Sequence, residues 1–288
     1  MRIFNITKQQ AANMHKELNI GLDVLNKTVA PIVNVNGFRW CNHMNYDEPP
    51  QKIYKYLSIE IAHKCIEEGN IRFSQPSMWN DGYEKRFYPS NCDYSNIITE
   101  RNKNIFTPQL YACCFTQNMT SEAAWKIYSY NDTNACVQFS INVDKLRLKL
   151  ESYATNNNCM IYEGPMIYNY SDEEIATLHK KNANLHKILF YDFKLDNYLS
   201  LLRIKRNAFY YENEYRFFVV PQNQENVNGD YLYIPICWKD IVDEIKIESK
   251  NSKFIKDCFQ NFLKSKGFDI TLQEFDLYNM ENNIVVEK

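Results

Sequence analysis

Residues 52–74, KIYKYLSIEIAHKCIEEGNIRFS, combine the patterns of a strand, a helix and a second strand in one short stretch. The β-branched and aromatic residues at 53–57 predict the first strand. Ser58 is placed to cap a helix over residues 59–68, and Gly69 is placed to end that helix in the left-handed conformation. The last four residues of the stretch then predict the second strand.

Short strands and separate helices follow along the rest of the chain. Apolar and polar residues alternate over 135–141, which is the clearest period-two pattern in the sequence. Thr120 is placed to cap a helix that carries Trp125 and Tyr128. Further strands are predicted at 71–74, 110–115, 160–162, 216–220, 244–247 and 270–275, and a further helix at 254–263. Strands that do not alternate regularly with helices favour an α+β fold over a βαβ series.

The first 50 residues are set apart from the rest. Residues 7–27 carry apolar side chains at helical spacing and predict an amphipathic helix. Residues 28–51 resemble a loop and contain Pro49 and Pro50, which are typical of a boundary. We therefore expect an N-terminal helical extension over 1–50 and a single α+β domain over 51–288.

The composition excludes several classes of protein. The chain has 288 residues, a net charge of −2 and only 7 glycines, and it contains no GxGxxG or GxxxxGK[ST] loop for phosphates. HExxH, GxSxG and paired CxxC motifs are also absent from the sequence. Nine cysteines without regular spacing favour a reducing cytoplasm. We expect neither a signal peptide nor a membrane-spanning segment.

Glu212 and Glu214 form the most informative local pattern. Two carboxylates two residues apart on a strand project from the same face. Their repulsion, together with burial, is expected to raise the pKa of at least one of them. Such a pair needs cations or a substrate with hydroxyl donors. Lys205 and Arg216 are close enough in sequence to supply such charges. A solvated pair of carboxylates on an edge strand is the alternative interpretation.

An ordered set of short motifs resembles a bacterial family known only as a domain of unknown function. The resemblance covers residues 52 to about 248. Its motifs are Tyr54-Lys55-Tyr56, a helix ended by Gly69, Asn80-Asp81, Cys114-Phe115-Thr116, Trp125, Tyr128, Lys205 and Glu212-Asn213-Glu214-Tyr215-Arg216. The chain departs from that pattern at Gly82, where the family usually has proline, and at Thr116, where it often has serine.

The same order of motifs is similar to the ADP-ribosyltransferase superfamily, which includes DNA-targeting toxins. The resemblance implies a split, mostly antiparallel sheet with flanking helices and implies NAD as the substrate. Lys55 would contact the phosphates or a ribose, at a position where Arg or His is more common, and Thr116 would be the Ser/Thr of the motif. Glu214 would be the catalytic carboxylate bonded to the nicotinamide ribose, and Glu212 would handle the target nucleophile.

The remaining candidate residues would bind the same dinucleotide. Tyr54, Tyr56 or Trp125 could stack on the nicotinamide ring. The rest of the expected NAD-binding set is Asn80, Asp81, Tyr128, Lys205 and Arg216. Ordinary roles compete with these assignments, because strand tyrosines and a helical tryptophan commonly pack in a core and Asn-Asp commonly shapes a turn.

We therefore expect mono-ADP-ribosyl transfer from NAD to a macromolecule, either protein or nucleic acid, without a metal ion. The resemblance also suggests a cytoplasmic toxin or phage-defence effector with a neutralising partner or regulator. Arg203, Lys205 and Arg206 would suit a phosphate-bearing target. One alternative is a metal-dependent nuclease that uses Glu244 and Lys246, with Asp243 or an earlier aspartate as partner. Another is a non-catalytic sensor that binds a nucleotide.

Overall fold

The computed structural model describes residues 50–85, 109–129, 135–168, 170–173, 199, 202–222, 229–248 and 250–276, together with two strands at 32–35 and 38–41. The described strands are β1 (Ile32–Val35), β2 (Phe38–Cys41), β3 (Lys52–Ser58), β4 (Asn70–Ser74), β5 (Tyr111–Thr116), β6 (Cys136–Asn142), β7 (Cys159–Pro165), β8 (Glu214–Pro221), β9 (Tyr231–Pro235), β10 (Val242–Glu248) and β11 (Gln273–Phe275). The described helices are α1 (Ile59–Glu68), α2 (Gly82–Lys85), α3 (Glu122–Tyr128), α4 (Val143–Asn157), α5 (Trp238–Ile241) and α6 (Lys253–Ser265). Two 3₁₀ helices lie at Pro76–Met78 and Asn207–Glu212.

All of these strands belong to one sheet that forks at β5. On one side of β5 the order is β5-β8-β7-β2-β1. On the other side, a first branch (β3-β6-β10-β11) pairs with β5 only through Tyr54 and Thr116. A second branch (β4-β9) pairs with β5 only through Ser74 and Ala112. Every pairing is antiparallel except β2 with β7 and β10 with β11, so the expected α+β fold with a mostly antiparallel sheet is confirmed.

The stretch 52–74 folds as its sequence predicts. Ser58 accepts a hydrogen bond from the backbone N–H of Ile61 at 3.3 Å and caps α1. Gly69 ends the helix with φ 62°, and its N–H reaches the carbonyl of Ile66. The capped helix therefore leads β3 directly into β4, which is how consecutive strands come to lie in different branches.

The main core lies on one face of the sheet. Alternating residues of the strands enter it, among them Ile53, Phe73, Phe139 and Phe217. Helices α4 and α6 cover the same face with Leu146, Leu150, Phe259 and Leu263. The Trp238 indole donates to the carbonyls of Cys65 and Asn70, both at 3.0 Å, and ties α5 to the end of α1.

The structure also corrects parts of the sequence interpretation. Residues 28–51 were expected to form a loop, but β1 and β2 lie within them, and β2 pairs with β7 in parallel. Ser121, not Thr120, caps α3 by accepting from the N–H of Ala124. Strand β9 and helix α5 were not predicted. Ile234 is the one buried residue of β9, and α5 has only four residues, so neither element shows a clear apolar period.

The remaining expectations concern the N-terminal 50 residues and membrane-spanning helices. The predicted helix at 7–27 lies outside the described residues, and the division at residue 50 stays a prediction. Within the described part of the chain, no helix is both long and apolar enough to cross a membrane.

Gly69→Ala should lower the free energy of unfolding by about 1 kcal/mol, because an L residue is strained in the left-handed conformation. An added Cβ would lie 3.6 Å from the carbonyl oxygen of Ile236, an ordinary contact, so the cost should come from the backbone. Urea denaturation measures it. Gly82→Ala is the matched control, since a Cβ there meets nothing within 4 Å. Equal stability of the two variants would contradict the assignment.

Candidate functional site

A cavity of about 490 Å³ lies in the fork of the sheet. Its walls are formed by β3, β4, β5 and the start of β8, together with the segment around Lys205 and the loop after β4. Because each branch pairs with β5 through one residue pair, the strands separate and leave space between them. The volume falls in the range of small-molecule binding sites.

Lys55 lies where β3 and β5 separate. Its ammonium donates to the carbonyl of Cys114 at 2.9 Å and contacts the Cys113 sulfur at 3.4 Å. The Nζ atom also lies 4.7 Å from the centroid of the Phe115 ring. Among the described residues no carboxylate comes within ion-pair distance of this ammonium. Lys55 therefore satisfies a strand carbonyl while it presents an uncompensated positive charge to the cavity.

Glu214 begins β8 and is almost fully buried in the cavity wall. The Arg216 guanidinium binds it in a bidentate manner, Nε to Oε1 at 2.7 Å and Nη2 to Oε2 at 2.9 Å. Lys205 Nζ donates to the same carboxylate at 3.1 Å. Burial raises the pKa of Glu214, but Arg216 and Lys205 outweigh it and hold that pKa at about 2. The carboxylate is therefore ionised at neutral pH.

Two further carboxylates complete this group. Arg216 Nη2 donates to Glu84 Oε1 at 2.6 Å, and Lys205 Nζ donates to Glu212 Oε2 at 2.5 Å. We call these five residues the carboxylate cluster. Three carboxylates in it share two cations. Burial raises the pKa of Glu84 above its ordinary value even with Arg216 beside it. The sequence predicted a raised pKa within the Glu212–Glu214 pair, whereas in the structure the pKa of Glu84 rises and that of Glu214 falls.

Glu212 and Glu214 converge, but not because they alternate along a strand. Glu212 is the last residue of the 3₁₀ helix Asn207–Glu212, and Asn213 has a left-handed backbone with φ 41°. Strand β8 then starts at Glu214, so a tight turn brings both carboxylates to Lys205. Thr116 fixes this turn, because its hydroxyl donates to the Glu212 carbonyl at 2.6 Å.

The register places the predicted residues in one row across the fork. Tyr54 on β3 pairs with Thr116 on β5, and Thr116 pairs with Glu214 on β8. All three residues line the cavity, as does Lys55. The structure thus brings together four residues that the sequence selected from three separated segments.

The candidate aromatic residues separate into two groups. Tyr54 and Tyr128 line the cavity, and Tyr128 is 48% exposed. Tyr56 also lines it, but its hydroxyl accepts from Gln138 at 2.6 Å and donates to the Met119 carbonyl at 3.3 Å. Trp125 is only 2% exposed, packs edge to face on Tyr56, and is not part of the cavity wall. The structure therefore places Trp125 in the core and not at a stacking site.

The Asn80-Asp81 pair lies at the edge of the site. Asn80 lines the fork cavity and an adjoining second cavity of about 650 Å³. Asp81 reaches only the second cavity, where it pairs with Arg206 at 3.4 Å and accepts from the N–H of Tyr83 at 2.8 Å. It therefore holds the start of α2 in place.

The three cations at 203–206 do not form the open phosphate-binding patch that the sequence suggested. Arg203 is fully buried, and Lys205 is engaged in the carboxylate cluster. Arg206 pairs with Asp81, and its guanidinium lies 4.2 Å from the Tyr83 ring. Their spacing in sequence did not indicate these separate environments.

Sequence reasoning missed several residues of the cavity wall, among them Arg72, Trp79 and Glu84. Arg72 alternates with the buried Ile71 and Phe73, so its outward direction was readable, but the sequence did not show that this face borders a cavity. Glu84 lies on a four-residue helix with no periodic pattern, so no local signal marked it.

The residues proposed for a nuclease do not converge on a metal site. Glu244 and Lys246 pair with each other at 3.5 Å, and Asp243 pairs with Lys145 at 2.8 Å. In the part of the chain that the structure describes, no three His, Cys, Asp or Glu side chains are placed to hold a metal ion together. The expectation that the protein uses no metal stays a prediction.

In acid, Glu214→Gln should lose less unfolding free energy than the wild type does. The pKa of Glu214 is about 2 in the folded protein and near 4.5 when exposed, so its contribution is present above pH 4.5 and lost as pH falls toward 2. The wild type should lose about 3 kcal/mol more than Glu214→Gln over that range. The measurement is urea denaturation at a series of pH values.

Glu84→Gln is the control for this series. The pKa of Glu84 is raised, so its contribution is present at low pH and is lost as pH rises through the folded-state pKa. Glu84→Gln should therefore still show the decrease in unfolding free energy that protonation of Glu214 causes in acid. Parallel curves for the wild type and Glu214→Gln would contradict the assigned ionisation.

Comparisons with known proteins give one match. A family model described as "Protein of unknown function (DUF2971)" matches residues 124–217. No curated protein matches, and no solved structure matches. The resemblance to a family of unknown function is therefore supported for this segment, whereas the similarity to ADP-ribosyltransferases stays a hypothesis. The matched segment, which is similar to that family, carries four of the five residues of the carboxylate cluster: Lys205, Glu212, Glu214 and Arg216.

Proposed function

We propose that this protein transfers ADP-ribose from NAD to a macromolecular acceptor. The observation that carries the proposal is the fork cavity, which is lined by an ionised, oriented carboxylate and by an ammonium that has no carboxylate partner among the described residues. Glu214 supplies the carboxylate, and Lys55 supplies the ammonium. A positively charged nicotinamide ribose and a negatively charged diphosphate within one ligand would complement this pair of charges.

The chemistry matches the wall of carboxylates. When the bond between nicotinamide and C1′ of the ribose breaks, the electron pair leaves with the ring nitrogen and positive charge develops on the ribose. A fixed carboxylate beside that charge stabilises the transition state. In the carboxylate cluster three acids share two cations, so this part of the wall favours a cation when all three are ionised.

The two ends of NAD would meet different surfaces of the cavity. The nicotinamide ring could stack on Tyr54 or Tyr128, whose side chains are partly exposed on the wall. The diphosphate would lie near Lys55, because an ammonium without a carboxylate partner is the natural contact for phosphate oxygens. The absence of a glycine-rich phosphate loop from the sequence is compatible with this mode of binding.

The acceptor would approach through the adjoining cavity. Glu212 lines both cavities and is the most exposed carboxylate of the cluster, so it is placed to orient an incoming nucleophile. The acceptor would be a protein or a nucleic acid. A toxin or phage-defence role with a neutralising partner rests on the sequence resemblance.

Glu214→Gln should reduce release of nicotinamide from NAD by about 100-fold or more, since it keeps the shape and removes the charge. NAD labelled in its adenylate is incubated with the full chain and with DNA, RNA or cell lysate, and both nicotinamide release and label transfer are measured. Glu151→Gln, on α4 and outside the cavity, is the matched control and should keep wild-type rates. Full activity of Glu214→Gln would remove this carboxylate from the reaction.

The same incubations separate the other functions. Transfer that persists in the presence of a chelator supports the transferase. Nucleic acid that is degraded only with divalent metal, and spared in Glu244→Gln, would replace the proposal with the nuclease. Binding of NAD without any turnover in the presence of every acceptor would replace it with the nucleotide sensor.

Lys55→Gln should weaken NAD binding by about 10-fold, because the amide carries no charge for the diphosphate. Isothermal titration calorimetry measures the dissociation constant. Lys64→Gln, on the exposed face of α1, is the control for loss of one positive charge and should bind NAD like the wild type. Unchanged affinity in Lys55→Gln would mean that Lys55 only seals the fork.

A further inference from the structure

The second branch of the sheet carries a partly exposed polar and aromatic face next to the cavity. Arg72 pairs with Tyr233, and Ser74 pairs with Tyr231, so these four side chains share one face of β4 and β9. The alternate residues Ile71, Phe73 and Ile234 enter the core on the opposite face. Arg72 and Ser74 line the fork cavity. The face that includes Tyr231 and Tyr233 therefore continues the cavity wall outward.

The two tyrosines are open to solvent. Tyr231 is 39% exposed and Tyr233 is 49% exposed. Their ring centroids lie 6.5 Å apart with planes at 51°, so the rings are not stacked flat on each other. A tyrosine ring that is partly exposed and not stacked on another ring offers a surface for a planar heteroaromatic group.

Arg72 is held against one of these rings. Its guanidinium lies 5.0 Å from the centroid of Tyr231. No described carboxylate lies within ion-pair distance of it. Arg72 is thus the second cation of the fork cavity, after Lys55, that has no described acidic partner. A guanidinium binds phosphate oxygens in a bidentate manner.

We propose that Arg72, Tyr231 and Tyr233 form a subsite for the adenosine diphosphate half of the dinucleotide. Arg72 and Lys55 bind the diphosphate from β4 and β3. The adenine ring stacks on the tyrosines of β9. The nicotinamide end then extends toward the carboxylate cluster. The identity of the whole ligand as NAD rests on the proposed function, but recognition of adenosine diphosphate by this face does not.

The charge of the face favours a small ligand over a nucleic acid strand. A groove that tracks a single strand needs several cations along the backbone. Here Arg72 is the single cation among the four side chains of the face, the exposed Asp230 immediately precedes Tyr231, and the chain carries a net charge of −2. One guanidinium and two rings match one diphosphate and one base.

The test uses ADP as the probe on the full chain, with binding measured by calorimetry. Tyr233→Ala and Arg72→Gln should each weaken ADP binding by about 10-fold or more. Nicotinamide mononucleotide lacks the adenylate that would stack on the tyrosines, so it should bind Tyr233→Ala as it binds the wild type. Phe254→Ala, at an exposed aromatic residue of α6, and Lys64→Gln are the matched controls and should not change either affinity.

The outcomes distinguish this subsite from the transferase proposal. ADP binding that is lost in the two variants but kept in Glu214→Gln supports the subsite even if NAD is never cleaved. Cleavage of NAD with an unchanged KM in Tyr233→Ala would overturn the subsite and leave the transferase standing. The subsite would also be overturned if ADP did not bind the wild type at millimolar concentration. Tighter binding of an unlabelled single-stranded oligonucleotide through the same residues would overturn it in favour of a nucleic acid surface.

Discussion

The site depends on how weakly the two branches of the sheet are joined to β5. Each branch keeps a single residue pair with that strand, at Thr116 for the first branch and at Ala112 for the second. Between Ala112 and Thr116 this edge of β5 has no paired strand, so its backbone N–H and C=O groups need other hydrogen-bond partners. The Lys55 ammonium supplies one of them by binding the Cys114 carbonyl at 2.9 Å. The same separation of strands creates the cavity and places the Lys55 ammonium in its wall.

The second constraint is the sharing of two cations by three acids. Arg216 is bidentate to Glu214 and also donates to Glu84, and the Trp79 ring lies 4.2 Å from its guanidinium. Because Arg216 and Lys205 both donate to Glu214, its carboxylate stays ionised although it is buried. Glu84 shares Arg216 with Glu214, and burial raises its pKa. Two buried carboxylates on one guanidinium thus have opposite pKa shifts, an arrangement typical of functional sites.

The sequence predicted the local structure best where caps and periodicity act together. Ser58 and Gly69 set the limits of α1, and the alternation at 135–141 gave β6 almost completely. The sequence analysis predicted that Glu212 and Glu214 lie close together, and they do. It attributed this to alternation along a strand, whereas a turn at Asn213 brings them together. The fork itself was not readable from residue patterns, because it depends on which strands pair and for how long. Glu84 was missed for the same reason, as only the tertiary fold brings it to Arg216.

If NAD is the substrate, as proposed, this chain with 7 glycines would bind the diphosphate without the usual glycine-rich backbone loop. Phosphate loops present N–H groups at close range, which requires glycine to let the backbone approach. The edge of β5 in the fork instead offers the Cys114 carbonyl, whose partial negative charge would repel an anion. Lys55 reverses this polarity, because its ammonium binds that carbonyl and keeps its charge on the cavity wall. In the proposed mode of binding, a long cationic side chain in a split sheet would therefore take the place of a glycine-rich loop.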